Sequence, residues 1–334
     1  MPVVDVHAHF TPQCLTRAKA AGTTLHGIEP ARIETGHKKL LTVEDRLARM
    51  DRISVDAQVV SAAPQMYCYK FDAATTAALH RECNDELFEM TKAHPNRFMG
   101  FAMLPMQDID MAIDELGRAV TDLRLQGAMI GDHVNGRTFD EPEFRAFWKA
   151  AEELGAMILL HQSGPLVAAR ITRYALPNTI GNPFERTTSF AALVFGGVMD
   201  AYPDLKVCLA HGGGYVCFAV GRMDWGWRWR PEARQFISKP PSSYLDRFFY
   251  DSITHDERAL RYLIDSVGIE QVVFGTDFPG FATGGHGDAY QPVEWLRSLA
   301  SLTAREKDAI LSGNAQRLFD HTAFRQMDRT IQSS

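Results

Sequence analysis

The feature that most constrains the fold is an alternation of eight short apolar runs with helix-length segments. The runs cover residues 3–9, 56–61, 98–104, 127–130, 157–161, 206–211, 248–252 and 272–277. Short runs rich in β-branched and aromatic residues predict strands, and the longer segments between them have helical periodicity. Alternating strands and helices favour a parallel sheet, and eight repeats favour its closure. The sequence therefore predicts an α/β fold, a (β/α)8 TIM barrel.

The chain has no linker and no low-complexity tract, so a single domain is predicted over residues 1–334. Helices are expected from residue 42 and over about 72–94, 109–123, 141–154, 184–201, 216–225 and 256–267. Residues 10–41 hold several glycines and prolines and have weak apolar periodicity. This segment is interpreted as a small insertion after strand one that covers the active-site mouth, rather than as a helix.

Composition narrows the classes of function. A net charge of −6 argues against nucleic acid or a membrane surface as partner, because either requires a basic surface. No apolar run approaches the length of about 18 residues that a membrane span needs. The chain begins directly with a predicted strand, which predicts no signal peptide. Five cysteines without CxxC spacing predict reduced thiols and a cytoplasmic location.

Four of the apolar runs end in side chains that bind metals. These side chains are His7, His9, His161, His211 and Asp277. A parallel barrel brings the carboxyl ends of its strands together, and residues two apart in a strand share a face. A lone histidine is more often a hydrogen-bonded core residue, but matching strand ends reverse that preference. The pattern predicts one site for Zn²⁺ or a similar divalent ion.

Asp5, which is near this set, and His211, which belongs to it, each have alternative interpretations. Asp5 shares a face with His7 and is expected to support the site or to satisfy a hydrogen bond at the barrel bottom, rather than to bind the metal. His211 precedes three glycines, which allow close approach of the backbone and open a helix whose N-terminus favours an anion. It is predicted to be a general base, with a further metal ligand as the alternative.

The motifs around these residues resemble those of a known protein family. The motifs DVHAHF, ILLHQ, LAHGGG and VVFGTDFP occur here in that order, together with LPMQD, GRMD and SGNA. The chain resembles the amidohydrolase superfamily, in its branch of metal-dependent, oxygen-independent decarboxylases, from residue 3 to about residue 318. The metal motifs are specific to the branch, but they do not fix the substrate.

The resemblance implies that His7, His9, His161 and Asp277 hold one divalent metal, usually Zn²⁺ and in some relatives Mn²⁺. It implies that His211 is the general base. It also implies a homodimer in which Arg222, of the GRMD motif, reaches the neighbouring subunit's site and binds a substrate carboxylate, for which an Arg fork is well suited. Without the family, Arg222 would be interpreted as a surface salt-bridge residue.

The chain departs from the family pattern where substrate contacts are expected. The family also uses an arginine from the insertion after strand one, and here Arg32 is the predicted substitute, with His37 as a second choice. Gln162-Ser163-Gly164-Pro165 follows the strand-five histidine in place of a Pro-Trp type sequence. Three tryptophans, Trp225, Trp227 and Trp229, follow the GRMD motif. A different acid substrate is therefore as consistent with the sequence as the same one.

Three functions follow from the sequence. The first is a metal-dependent nonoxidative decarboxylase of an aromatic or muconate-type carboxylic acid, with Asp277 and His211 as the groups suited to proton transfer. The alternative is a metal-dependent hydrolase or hydratase of a ring-cleavage product in aromatic catabolism. A non-catalytic metal-binding protein is disfavoured, because a complete ligand set is accompanied by a spare base. The expected partner is a small-molecule carboxylate.

Overall fold

Eight parallel strands form the centre of the described part of the chain. The computed structural model describes residues 1–33, 41–280 and 290–319. The strands are β1 (Val4–Phe10), β2 (Ala57–Ala62), β3 (Phe98–Phe101), β4 (Gly127–Gly131), β5 (Met157–His161), β6 (Lys206–Leu209), β7 (Phe249–Asp251) and β8 (Val272–Val273). They pair in chain order within two sheets, β1-β2-β3 and β4 to β8. Each strand is therefore paired with the next one along the chain.

Backbone hydrogen bonds join the two sheets at both seams. Ala102, directly after β3, accepts from the Met129 amide of β4 at 2.9 Å. At the other seam, the Val6 amide of β1 donates to the Phe274 carbonyl at 2.8 Å, and the Asp277 amide donates to the His7 carbonyl at 2.8 Å. The sheet thus closes on itself, which leaves no open edge. The predicted α/β barrel is confirmed.

Helices connect the strands and cover the barrel. They are α1 (Gln13–Ala21), α2 (Val43–Arg52), α3 (Ala73–Ala93), α4 (Ile109–Thr121), α5 (Arg145–Glu153), α6 (Asn182–Phe195), α7 (Val198–Ala201), α8 (Val216–Trp229), α9 (Glu257–Val267), α10 (Pro292–Ser298), α11 (Ala304–Asp308) and α12 (Asn314–Leu318). In α5, for example, Phe147, Trp148 and Ala151 are buried on one face. This face packs inward because burial of its apolar area stabilises the fold.

The prediction that residues 10–41 contain no helix is wrong. Helix α1 begins after Pro12, and the Glu86 carboxylate of α3 accepts hydrogen bonds from the Gln13 and Cys14 amides at 2.5 and 2.8 Å. Arg17 adds an ion pair with Glu86 at 2.9 Å. The helix is therefore capped by a distant residue, and its own sequence carries no capping signal. It packs against α3, while residues 34–40 lie outside the described part of the chain.

Other boundaries differ from the predicted ones for local reasons. The helix predicted over 184–201 is divided into α6 and α7, because Gly197 has a φ of +70° and interrupts the helical backbone. Strand β8 ends at Val273, before the predicted end at residue 277, because the chain leaves extended geometry to reach Asp277, whose φ is +54°. The helix expected from residue 42 has the predicted capping box between Thr42 and Asp45.

No helix in the described ranges is both long and apolar enough to cross a membrane. The barrel interior and the layer between barrel and helices share one apolar core that includes Val6, Met129, Leu159 and Leu209. Polar side chains at the carboxyl ends of the strands interrupt this core. They form the site described next.

Candidate metal centre

Strand β1 delivers two histidines to the carboxyl end of the barrel. His7 and His9 are both buried, and their Nε2 atoms lie 3.1 Å apart. The pairing of β1 with β2 shifts register between Asp5 and Ala8, so the strand is locally irregular at His7. Bulges of this kind re-aim side chains near functional sites. The two imidazoles predicted to act together are therefore in contact.

Asp277 lies among the four histidines named by the sequence. Its Oδ1 atom is 3.0 Å from His9 Nε2, 3.4 Å from His7 Nε2 and 3.8 Å from His161 Nε2. Its other oxygen, Oδ2, is 3.6 Å from His211 Nε2. Residues from β1, β5 and the ends of β6 and β8 thus converge on one carboxylate, as the strand-end pattern predicts. The structure brings together all five predicted residues.

The donor set fits a divalent metal. His161 is fully buried, and neither of its ring nitrogens has a hydrogen-bond partner among the described residues. A buried polar atom without a partner costs free energy unless another group, such as an ion, satisfies it. Burial lowers the pKa of His9 to about 4 and holds the pKa of His161 well below its usual range. Both rings are therefore neutral, as metal ligands must be.

The identity of the ligands within this set is open to two interpretations. Side-chain atoms of His7, His161, His211 and Asp277 all lie within 4.8 Å of one another. His9 instead approaches the Oδ1 side of Asp277, while His211 approaches the Oδ2 side. His211 is also partly exposed, whereas His7 and His161 are fully buried. The geometry allows His211 to be either a ligand or the neighbouring base.

Asp251, at the end of β7, accepts hydrogen bonds from the His7 side chain and from the backbone at His211. Its Oδ2 accepts from His7 Nδ1 at 2.7 Å and from the His211 amide at 2.8 Å. Its Oδ1 accepts from the Gly212 and Ile253 amides at 2.9 and 3.0 Å. Burial opposes the charge on Asp251, but the hydrogen bond from His7, the charges of His7 and His211 and the Gly212 amide together outweigh it and lower the pKa of this carboxyl. The Nδ1–H of His7 is thereby held on Asp251, which leaves Nε2 for a metal.

Asp5 stabilises the strands that carry the site, which agrees with its interpretation as a supporting residue rather than a metal ligand. Its carboxylate accepts from Thr276 Oγ1 at 2.6 Å, the Thr276 amide at 3.0 Å and Gln58 Nε2 at 2.8 Å. Burial raises the pKa of Asp5 to about 6, while the Thr276 hydrogen bond acts in the opposite direction. Asp5 therefore ties β1 to β2 and to the residue that precedes Asp277.

A cavity of about 360 Å³ opens onto His211 and Asp277. Gly212 and Gly214 line it beside the N-terminus of α8, and consecutive glycines from 212 to 214 have φ values of +60°, +72° and +65°. These positive φ values explain why glycine is needed at this turn. Tyr215, Phe218 and Tyr262 give the cavity an aromatic wall. The space is suited to a flat organic molecule of small size.

The predicted substrate-binding arginines lie outside this cavity in their own chain. Arg222 is exposed on α8 and has no ion-pair partner among the described residues, so the surface salt bridge is not formed. Arg32 is exposed, with its guanidinium carbon 4.5 Å from the centre of the Phe71 ring. His37 lies outside the described residues.

Two residues that interact with the site were not singled out from the sequence. Asp251 lies at the end of the predicted strand at 248–252, so an acidic residue at a strand end was a usable signal. Ser61 Oγ lies 3.0 Å from His9 Nδ1, but a serine at the end of a strand has no comparable signal. Such partners orient metal-binding histidines by fixing the ring nitrogen that carries the proton.

A closed parallel barrel with histidines and an aspartate at its strand ends defines a metal-dependent enzyme of the amidohydrolase type. The family model described as Amidohydrolase matches residues 4–321. The chain therefore belongs to the amidohydrolase family, and the predicted superfamily is confirmed.

Relatives and solved structures are consistent with the decarboxylase branch. The chain is 34% identical over 271 residues to 2-amino-3-carboxymuconate-6-semialdehyde decarboxylase of Dictyostelium discoideum, which covers 81% of this chain and 74% of the relative. It is 30% identical to γ-resorcylate decarboxylase of Rhizobium radiobacter, which covers 84% and 88%. The crystal structure of 5-carboxyvanillate decarboxylase from Sphingomonas paucimobilis has a TM-score of 0.82 at 27% identity and covers 95% of this chain and 98% of its own.

Proposed function

We infer that this chain is a metal-dependent nonoxidative decarboxylase, a carboxy-lyase that acts on an aromatic or muconate-type acid. The observation that carries this inference is the Asp277 carboxylate, which has His9 on one oxygen and His211 on the other. One side is suited to a metal and the other opens onto the cavity. The relatives named above are all decarboxylases of carboxylic acids of this kind.

The net reaction replaces a carboxylate with hydrogen. A proton forms a C–H bond at the carbon that carries the carboxylate, the C–C bond breaks, its electron pair returns to the conjugated system, and CO₂ leaves. His211 and Asp277 hold and deliver the proton, because their facing atoms lie 3.6 Å apart at the cavity. A divalent metal held by these residues would supply positive charge that favours binding of the substrate carboxylate.

For the ligands, we propose His7, His9, His161 and Asp277, with His211 as the acid–base residue. The partial exposure of His211 and its position on the Oδ2 side of Asp277 support this division. We propose Zn²⁺ as the resident ion because the donors are mostly imidazole, with Mn²⁺ as the alternative. His161→Ala and Asp277→Ala are expected to lose bound metal, whereas His211→Ala keeps it and loses turnover by roughly 100-fold or more. Elemental analysis separates the two classes, and loss of metal from His211→Ala would place His211 among the ligands.

The reaction itself is tested with the metal-loaded protein and a panel of hydroxybenzoates and ring-cleavage acids. Release of CO₂, together with a product that lacks the carboxylate, is the expected result. His211→Ala serves as the control, because it retains the barrel and the proposed metal ligands. A product that keeps its carboxylate and gains the elements of water would instead identify the hydrolase or hydratase.

We further propose a homodimer in which Arg222 completes the partner's site. Phe218, Arg222, Trp225 and Trp229 are spaced so that they share one face of α8. Phe218, Trp225 and Trp229 are 86%, 55% and 63% exposed, an aromatic surface that favours a protein partner. Phe218 also lines the cavity, so this surface continues to the mouth of the site.

Mixing two inactive variants tests the shared site. His161→Ala lacks a metal ligand, and Arg222→Ala is expected to weaken substrate binding by about 1.5–3 kcal/mol with unchanged metal content. A heterodimer of the two has one intact site, so random mixing should restore about a quarter of the wild-type activity. Mixed dimers without recovered activity would refute the contribution of Arg222 across the interface. Arg32 is proposed as a second carboxylate contact and is tested as Arg32→Ala in the same assay.

We also propose that the protein acts in the cytoplasm on a small-molecule carboxylate, without nucleic-acid partners. All five cysteines are free, and Cys14, Cys83 and Cys208 are buried as thiols. Free thiols are typical of a reducing compartment. The net charge of −6 disfavours a polyanionic partner.

A further inference from the structure

The loop after β7 places a second histidine in the cavity beside the proposed catalytic residues. Asp251 ends β7, and His255 follows four residues later, directly before the N-cap residue Asp256 of α9. The side chain of His255 is exposed at the cavity surface and lines the same cavity as His211 and Asp277. Neither the metal cluster nor the proposed proton transfer uses it.

The absence of lysine and arginine from the described cavity lining makes His255 a candidate contact for the substrate. Among the described residues that line the cavity, there is no lysine and no arginine. His211 and His255 are therefore its only imidazole or cationic donors within that set, and His211 is occupied by proton transfer. An acid with a second polar substituent needs a partner on the cavity wall, since an unpaired polar group in an enclosed site costs binding free energy.

The backbone at His255 is unusual for a histidine. Its φ is +58°, in the left-handed region that a residue with a β-carbon adopts at a cost. Non-glycine residues in this conformation concentrate at functional sites. The conformation also supplies a matched substitution, because asparagine tolerates left-handed backbone better than most residues.

The chemistry of the ring indicates the kind of group that it binds. Partial desolvation at the cavity wall lowers the pKa of His255, and the nearby His211 acts in the same direction. A neutral imidazole donates one hydrogen bond and accepts one, which is suited to a hydroxyl or a carbonyl-type oxygen. The aromatic wall formed by Tyr215, Phe218 and Tyr262 holds the flat part of the same molecule.

We propose that His255 is a specificity-determining substrate contact that hydrogen-bonds a hydroxyl or carbonyl-type oxygen on the ring or chain of the acid. The contact lies beyond the carboxylate that reacts at His211 and Asp277. This assignment rests on the proposed decarboxylase function. It adds a residue that distinguishes acids carrying this substituent from acids that lack it.

Binding of two unreactive probes tests the contact without turnover. A nitro group is a planar substitute for a carboxylate and cannot release CO₂, so 2-nitroresorcinol and 2-nitrophenol differ only by one hydroxyl. Calorimetric titration of the metal-loaded protein should show that His255→Asn binds 2-nitroresorcinol about 3- to 10-fold more weakly, the loss of one hydrogen bond. Binding of 2-nitrophenol should change much less. His255→Gln, whose amide lies on a longer side chain than that of asparagine and so reaches closer to the position of the imidazole, should recover part of the difference.

His26→Asn is the matched control. His26 also has a left-handed backbone, with a φ of +50°, but it pairs with Glu82 at 2.8 Å on the α3 side of the barrel. The His26→Asn variant should bind both probes as the wild type does. In His255→Asn, the metal content and the melting temperature should be unchanged. Equal affinity of His255→Asn and wild type for both probes would overturn the proposal, and so would an equal loss for both probes.

The kinetic counterpart separates this proposal from the function on which it rests. With an acid that the wild type decarboxylates, His255→Asn should raise KM for hydroxylated acids more than it lowers kcat. If the His255→Asn substitution weakens binding of 2-nitroresorcinol only, but the wild type releases no CO₂ from any acid, the decarboxylase function is refuted and the proposed His255 contact is supported. Wild-type CO₂ release with an unchanged KM in His255→Asn would refute the contact alone.

Discussion

Replacing Asp251 with asparagine tests how the barrel orients the histidines that we propose as metal ligands. The carboxylate is fully buried, accepts His7 Nδ1–H at 2.7 Å and accepts three backbone amides. Asparagine keeps one carbonyl oxygen for Gly212 and Ile253. Its amide group then faces His7 Nδ1 and the His211 amide, where it offers a donor in place of an acceptor. The substitution therefore preserves volume but removes the interaction that fixes the His7 tautomer.

The expected effect is a loss of metal affinity. Partners of metal-binding histidines typically contribute 10- to 100-fold in affinity, which corresponds to about 1.4–2.7 kcal/mol. Alanine is a poorer test, because it would also leave three backbone amides without an acceptor, at about 1–3 kcal/mol each. Such a loss approaches the total stability of a typical domain. Asp251→Asn is therefore the informative variant.

The assay is competition for the metal between the protein and a chromogenic chelator, with urea unfolding of the metal-free protein as a second measurement. Ser61→Ala is the graded comparison, because it removes the neutral partner of His9 at 3.0 Å rather than a charged one. The affinity loss should be larger for Asp251→Asn than for Ser61→Ala. Wild-type metal affinity in Asp251→Asn, with the barrel folded, would refute the argument that Asp251 orients His7.

Three further outcomes are expected from the fold. Gly214→Ala should destabilise the protein by more than about 2 kcal/mol, because φ is +65° and the new β-carbon would clash with the Pro183 carbonyl oxygen. Gly117→Ala, where a β-carbon on α4 meets open space, should instead raise the free energy of unfolding in urea by about 0.5–1 kcal/mol. Thr42→Ala should cost about 1 kcal/mol, because the capping box with Asp45 is lost. Removal of metal by a chelator should lower the melting temperature of the wild type but not of His161→Ala, since only a bound ligand stabilises the folded state.

The strands and most helices were predictable because their signals are local. Short apolar runs that end at Gly, Pro or His mark strands, and Thr42 with Asp45 marks the start of a helix. Helix α1 was not predictable by the same reasoning, because the cap at its N-terminus comes from Glu86, more than 70 residues away in sequence. Local periodicity cannot report such a contact.

The grouping of His7, His161 and Asp277 was predictable without coordinates, because a barrel turns distant strand ends into neighbours. The division of roles within the cluster was not, since it depends on which oxygen of Asp277 faces which ring. His255 was also missed. It lies in a loop, where neither strand periodicity nor a motif indicates that the side chain enters the cavity.

The positions of His211 and Asp277 show how two buried aspartates sustain the site. Both residues have left-handed backbones, with φ values of +57° and +54°, and each such conformation costs about 1–3 kcal/mol for a non-glycine residue. The His211 amide donates to Asp251, and Asp5 accepts from the amide and hydroxyl of Thr276, the residue before Asp277. Buried hydrogen bonds to a carboxylate are strong enough to offset this strain. Asp5 and Asp251 therefore act on His211 and Asp277 through the backbone, and their loss should disturb both residues even though neither carboxylate lines the cavity.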